Sequence, residues 1–309
     1  MNALAPESVR EPTAYARLLA GLLKSYGARP TMQPRRFSKL AKAARYLHLR
    51  RGLCSTQLGA DSRFIFPLGD RYWHKVFLGL GYEPNLEWVL RRAKDVPYAL
   101  IDCGANMGYW SVMASGVELG SHFVVAVEAS KRNFELLANN ARANGDRFRA
   151  IHRAVTNVSG EKARLFGTIH FGRSLLSEWH KGSEAHSEEV ETITVDDVAS
   201  KYLPGNGKPV VLKLDVEGVE VAAMEGGRKT IEAGALVIFE DHVKEAEHPA
   251  SRYMLGLGDM EIWYLGREQK PAPVKSIDDV VAAKKIKAND FFAYKRGSPW
   301  AYLFREEGH

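Results

Sequence analysis

Asp102, Gly104, Ala105, Asn106 and Gly108 occupy the turn "DCGANMG", which follows an apolar run at residues 98–101. A dinucleotide-binding turn of the G-x-G-x-x-G kind opens on glycine so that the backbone can approach a pyrophosphate. Here Asp102 stands in that first slot. A carboxylate repels a pyrophosphate and attracts ammonium or sulfonium charge. Gly104 and Gly108 permit unusual dihedrals or close backbone approach. Asn106 can bond a ligand carboxylate or close an Asx turn. Glu128 ends a second apolar run, 20 residues beyond Gly108, where an acid binds ribose hydroxyls. An amino acid end, a cation and a ribose together describe S-adenosyl-L-methionine. The same residues could also serve structure alone, with Asp102 closing the turn and Glu128 favoured at a helix N-terminus by the dipole. Two acids at successive strand ends, at this spacing, weigh toward a cofactor site.

A second group sits near residues 213–242. Lys213 and Asp215 are two apart in an apolar run, so on a strand they project to the same face. They form either an active-site pair or an ion pair that fixes a strand end. Glu217 and Glu220 read as acids at the start of a helix. Glu240, Asp241 and His242 follow a later apolar run. His242 is a candidate general base, because imidazole titrates near neutral pH. Asp215, Glu240 and His242 could instead hold a divalent ion, but isolated histidines are seldom ligands and no metal is expected. The polar stretch "SLLSEWHKGSEAHSEE" carries His180 and His186 and reads either as a lid or substrate loop, with Ser174 reaching the cofactor, or as a solvated, mobile connection.

These side chains need strand ends to hold them. From residue 98 onward, apolar runs alternate with amphipathic helices: strands at 98–103, 123–128, 148–155, 210–215 and 235–240, with helices between them. Such alternation predicts a parallel sheet covered on both faces, which binds ligands at the carboxyl ends of its strands. "VETITV" predicts an edge strand before a short helix, and "MEIWYLG" and "DFFAYKR" a late antiparallel pair. "YEPNLEWVLRRA" predicts a helix with Pro84 near its start. Residues 1–60 read as helical, with "RFIFPL" a short strand after them.

Composition sets outer limits. The chain has 309 residues, 45% hydrophobic and 26% charged, which suits one large domain with an extension or two small domains. Two cysteines make no disulfide framework, so a reducing, cytoplasmic setting is expected. No run is long enough for a membrane span, and no basic leader segment precedes the short apolar stretch at 18–23. Residues 1–99 hold 17 basic and 7 acidic side chains, against 26 and 30 in the rest. The densest basic piece, residues 35–52, reads as an amphipathic helix. It either packs on the main domain or makes a peripheral contact with an acidic surface.

"LIDCGANMGYWS" with "VVAVEAS" resembles class I methyltransferase motifs. "VVLKLDVEGVEVAAMEGG" and the acid in "VIFEDH" are similar to the signature of the FkbM family of S-adenosyl-L-methionine-dependent methyltransferases. The resemblance spans about residues 63–295, and its most specific part is Lys-x-Asp-x-Glu-Gly-x-Glu at 213–220. It implies a doubly wound, mostly parallel seven-stranded sheet of the Rossmann-like class I type. It also implies methyl transfer to a hydroxyl of a saccharide or natural product, with Asp102, Gly104, Asn106 and Glu128 binding the cofactor. The expected organisation is a helical, basic N-terminal extension over 1–60 and a methyltransferase domain over 61–309. Two other functions stay open: a nucleic-acid or protein methyltransferase docking through the basic region, and a non-catalytic cofactor-binding protein.

Overall fold

The computed structural model describes residues 53–67, 73–77, 81–167, 187–205, 207–241 and 247–305, with positions 11, 12, 14, 17, 21, 25, 70, 79 and 175. The basic stretch 35–52 and Ser174, His180, His186 and His242 lie outside the described residues.

An antiparallel hairpin comes first, β1 (Leu53–Leu58) paired with β2 (Ser62–Pro67). Residues 53–58 are thus strand where the sequence reads helix, and a boundary at residue 60 would cut the hairpin in two. Helices α1 (His74–Phe77) and α2 (Pro84–Ala93) follow. The alternating part then runs β3 (Ala99–Cys103), α3 (Tyr109–Ala114), β4 (Phe123–Glu128), α4 (Lys131–Ala143), β5 (Phe148–His152) and the short β6 (Ala154–Val155). It continues through β7 (Lys162–Leu165), β8 (Glu188–Ile193), α5 (Val195–Tyr202), β9 (Val210–Leu214), α6 (Glu220–Gly226), α7 (Arg228–Glu232) and β10 (Leu236–Glu240). Last come α8 (Pro249–Gly256), β11 (Met260–Leu265), β12 (Pro271–Val274), α9 (Ile277–Lys285) and β13 (Asp290–Lys295).

The main sheet has the order β12-β11-β13-β10-β9-β3-β4-β5. Its five strands from β10 to β5 are parallel, and β13, β11 and β12 are antiparallel. Seven of these are the expected doubly wound set, with β13 inserted between β10 and β11; β12 extends the edge. β3 starts the wound part, and the chain runs from it first toward β5 and later toward β10. Its carboxyl end is therefore the switch point where a crevice opens. β3 is buried along its whole length, and β4, β9 and β10 nearly so, as strands covered on both faces must be. β8 does not edge this sheet. It joins β6 and β7 in a separate three-stranded sheet, because its partners are the residues that leave β5, not β5 itself.

The hairpin is tied to the domain through α4. Asn140 Oδ1 accepts from Ile65 N at 2.7 Å and its Nδ2 donates to Ile65 O; Asn144 treats Arg63 N and O in the same way. Each buried amide thus satisfies both groups of one hairpin residue, a strand edge that water cannot reach. The hairpin's Phe64 packs on Trp73 at 4.8 Å and Tyr109 at 5.7 Å between ring centroids.

Candidate active site

β3 ends at Asp102 and Cys103, and the turn after it places Gly104 and Asn106 in left-handed backbone at φ 73° and 53°. A Cβ on Gly104 would lie 1.8 Å from Asp215 O. This glycine is required because the turn crosses directly against the end of β9. A Cβ on Gly108 would lie 2.5 Å from Leu137 Cδ1, so that glycine serves the packing of α4 and lines neither cavity described below.

Two cavities open on either side of this crossing. The first, about 80 Å³, is walled by Glu128, Asn133, Val155, Leu165, Leu175 and Val216. Glu128 ends β4 and is 7% exposed. Its Oε2 accepts from Asn106 N and its Oε1 from Ser130 N, both at 2.8 Å. Burial nevertheless pushes its pKa up to about 7. The second cavity, about 240 Å³, holds Asp102, Ala105, Lys213, Glu240, Glu83 and Asp290, with an aromatic wall of Trp73, Tyr82, Tyr109 and Trp110. Gly104, Asn106, Asp215 and Glu217 line both cavities, so they form the shared partition.

Lys213 is the buried cation of the second cavity. Its Nζ lies 3.1 Å from Asp215 Oδ2 and 3.8 Å from Asp102 Oδ1. Burial alone would depress its pKa, but Asp215 and Asp102 more than offset that and hold it above the usual lysine value. Asp102 is 1% exposed, and its Oδ2 accepts from Ser111 Oγ at 2.6 Å. Burial raises its pKa against the pull of Lys213 and Ser111. Asp102 therefore faces the aromatic cavity and Lys213, not the Glu128 cavity. Two acceptor atoms beside the partition, Asp102 Oδ1 and Asn106 Oδ1, are buried without a hydrogen-bond donor among the described residues.

Several sequence-based expectations shift here. Lys213 and Asp215 do share a face and touch. Glu217 belongs to a turn at φ 54° before α6, not to the helix. Glu220 is the buried first residue of α6, where its carboxylate accepts from Val216 N and Gly218 N. Glu240 lies in the aromatic cavity. Its neighbour Asp241 turns away into a buried network with Lys284 at 2.5 Å, His248 at 3.1 Å and Ser251 at 2.5 Å. No group of three His, Cys, Asp or Glu side chains is arranged to hold a metal ion among the described residues. Glu83, Asp290 and the aromatic wall were not foreseen. Glu83 precedes a helix and Asp290 starts a strand, and neither position carries a signal of its own.

The family comparison bears on this arrangement, because residues 102–255 match the methyltransferase FkbM domain. Over these residues the chain belongs to the FkbM methyltransferase family. The matched segment begins at Asp102 and contains Glu128, Lys213, Asp215 and Glu240, which places both cavities against the methyltransferase domain. Among solved structures, the chain is similar to a methyltransferase FkbM from Methylobacillus flagellatus KT, at 16% identity and a TM-score of 0.42, covering 72% of this chain. The chain spans 53% of that protein's length. It is also similar to the StiE O-MT, residues 961–1257, at 15% identity and a TM-score of 0.40, covering 75% of this chain and 80% of that one. No curated protein matches the chain.

The methyltransferase domain has a set of hydrogen-bond acceptors that fits the expected cofactor. Asn106 Oδ1 has no hydrogen-bond donor among the described residues and Asp102 Oδ1 has the Lys213 ammonium only at 3.8 Å, so both can accept from an amino group. The Glu128 carboxylate faces the smaller cavity, where a ribose diol can donate to its remaining lone pairs.

Proposed function

We propose that the domain transfers a methyl group from S-adenosyl-L-methionine to a hydroxyl of a saccharide or small-molecule acceptor. The observation that supports this reading is the partition. Asp215, Gly104, Asn106 and Glu217 line both cavities, so a group held in one cavity is presented to a group held in the other. When bound, the cofactor supplies a methyl group already activated by its sulfonium. The residues of the chain do the rest. Glu128 accepts from ribose hydroxyls, and Asp102 and Asn106 accept from the amino group. Lys213 Nζ holds Asp215 Oδ2, which leaves Asp215 Oδ1 to take the hydroxyl proton of the acceptor as that oxygen attacks. Burial holds Glu83 at a pKa of about 7, a basicity matched to accepting the same proton near neutral pH. The apolar and aromatic walls restrict water and align the two reactants.

A cytoplasmic setting is part of the proposal, supported by the free buried thiols of Cys54 and Cys103; no helix among the described residues is long and apolar enough to cross a membrane. Contact of residues 35–52 with an acidic surface also stands as a proposal, supported by their charge alone.

Calorimetry with S-adenosyl-L-homocysteine tests the cofactor. Mass spectrometry of glycans and metabolites from cells with and without the gene tests the acceptor, through a methyl group missing from a hydroxyl. Tight binding with no methyl group missing anywhere would leave a cofactor-binding protein without catalysis. A methyl group missing from RNA or protein instead would move the acceptor to that class.

A further inference from the structure

Glu217, in the turn between β9 and α6, takes no part in the steps above. It lines both cavities and adopts left-handed backbone at φ 54°. That backbone is strained for a residue with a Cβ and easy for glycine. Gly218, which follows, takes it at φ 97°. The turn is held in this shape by the buried Glu220 carboxylate, which accepts from Val216 N at 3.2 Å and from Gly218 N at 3.0 Å, one on each side of Glu217. Strain of this kind gathers at the site. Among the described residues nine that are not glycine have positive φ. Four of them, Glu83, Asn106, Glu217 and Lys287, line the aromatic cavity from four separate turns. Such residues cluster where a ligand is held, because the surroundings keep them there against the strain.

The covalent order of the cofactor says what passes Glu217. Its sulfonium joins the amino acid chain to the ribose. Asp102, which meets the amino group, lines the aromatic cavity, and Glu128, which meets the ribose, lines the smaller one. A molecule that reaches both must carry its sulfonium across the partition, beside Gly104, Asn106, Asp215 and Glu217. Of the two acids there, Asp215 has its charge balanced by the Lys213 ammonium at 3.1 Å. Glu217, half-buried, is the second carboxylate at the crossing.

We propose that Glu217 is the residue through which the site distinguishes the charged cofactor from its spent form. This rests on the cofactor reading above and gives one further residue a binding role in it. S-adenosyl-L-methionine carries a sulfonium cation. S-adenosyl-L-homocysteine, which is left after transfer, carries a neutral thioether at the same place. A carboxylate at the crossing attracts the first and finds no charge in the second. The amino group met by Asp102 and Asn106 and the ribose met by Glu128 are common to both molecules, so those contacts do not discriminate. The attraction ends once the methyl group has left the sulfur, and spent cofactor then gives way to fresh.

The test is calorimetry on the full chain, without acceptor, using S-adenosyl-L-methionine and S-adenosyl-L-homocysteine in turn. Glu217→Gln should weaken the first by about tenfold or more and the second by no more than about threefold. Glu128→Gln meets the ribose common to both, so it should weaken both alike and serves as the control. Glu217→Gly removes the side chain at a position whose backbone suits glycine. It should show the same selective loss without lowering the denaturant midpoint. Equal losses for the two ligands in Glu217→Gln, or no loss for either, would overturn the proposal. So would a lowered midpoint in Glu217→Gly with the ratio of the two affinities unchanged, since the side chain would then serve the fold. Failure of the wild-type chain to bind either ligand would instead overturn the cofactor reading, which separates the two.

Discussion

Lys213 and Asp102 are register partners on the neighbouring parallel strands β9 and β3, and the Lys213 ammonium lies between Asp102 and Asp215 at 3.8 and 3.1 Å. One buried cation thus holds the ends of two strands and aims a carboxylate into the partition. Removing it leaves the buried Asp102 uncompensated and the half-buried Asp215 without its partner. Lys213→Met is expected to lower unfolding free energy by about 3–5 kcal/mol at pH 7, the usual cost of breaking a buried ion pair from one side. Urea denaturation measures this. Adding Asp102→Asn to Lys213→Met should recover part of the loss, and a double mutant no more stable than Lys213→Met would show that the charges are not coupled.

The buried acids of the two cavities also set a pH dependence. Glu83, Asp290 and Glu128 are each pushed up to about 7 by burial. The folded state therefore binds more protons than the unfolded state between the ordinary carboxylate range and about pH 7, and stability falls as pH rises through that window. The penalty is absent at lower pH and complete above about 7. Glu83→Gln and Asp290→Asn remove one titrating group each. Each variant should gain about 1–2 kcal/mol on wild type at pH 8 and little at pH 4. Thermal unfolding across that range, without ligand, is the measurement; parallel curves for wild type and both variants would count against the assignment.

Cofactor binding and transfer should separate by mutation. Glu128→Gln replaces a charge-assisted acceptor of ribose hydroxyls, so affinity for S-adenosyl-L-homocysteine should drop by about tenfold or more. Asp215→Asn keeps size and most hydrogen bonding but loses the proton acceptor. Single-turnover transfer should fall by about 10²–10⁴-fold, with cofactor affinity changed only a few-fold. Near-normal transfer in Asp215→Asn would assign the proton to Glu83.

The two turn glycines should respond differently. In Gly104→Ala the new Cβ meets the backbone carbonyl of Asp215, which cannot rotate away. In Gly108→Ala it meets the tip of Leu137, which can. Both replacements also carry the cost of left-handed backbone, about 1–2 kcal/mol. Gly104→Ala is expected to cost at least about 2 kcal/mol more than Gly108→Ala, read by denaturant midpoints. Equal losses would mean that the crossing of the turn over β9 is looser than it stands here.

Much of this architecture was legible from residue order. The central parallel strands announce themselves because strands buried on both faces are apolar along most of their length, as "YALIDC", "FVVAVE" and "VVLKL" are apart from Asp102, Glu128 and Lys213. The placement of Asp102 and Glu128 at strand ends follows from the same runs, as does the shared face of Lys213 and Asp215. The hairpin at 53–67 was not legible at its first strand. "LCSTQL" has no strong alternation, and it is a strand because "RFIFP" pairs with it and α4 asparagines cap the edge. β8 went to a different sheet for a similar reason: pairing choice depends on which edge lies near, and sequence order does not say.

The local chemistry that sequence alone determined is the set of strand-end acids with one lysine among them, since side-chain period and apolar runs depend only on neighbours along the chain. Only tertiary structure decided how they are shared out. It put Asp102 with Lys213 on the aromatic side and Glu128 on the other. It also brought Glu83 and Asp290, more than two hundred residues apart in sequence, into one cavity. Charge balance in a cavity depends on distances through space, and those exist only once β13 has inserted beside β10.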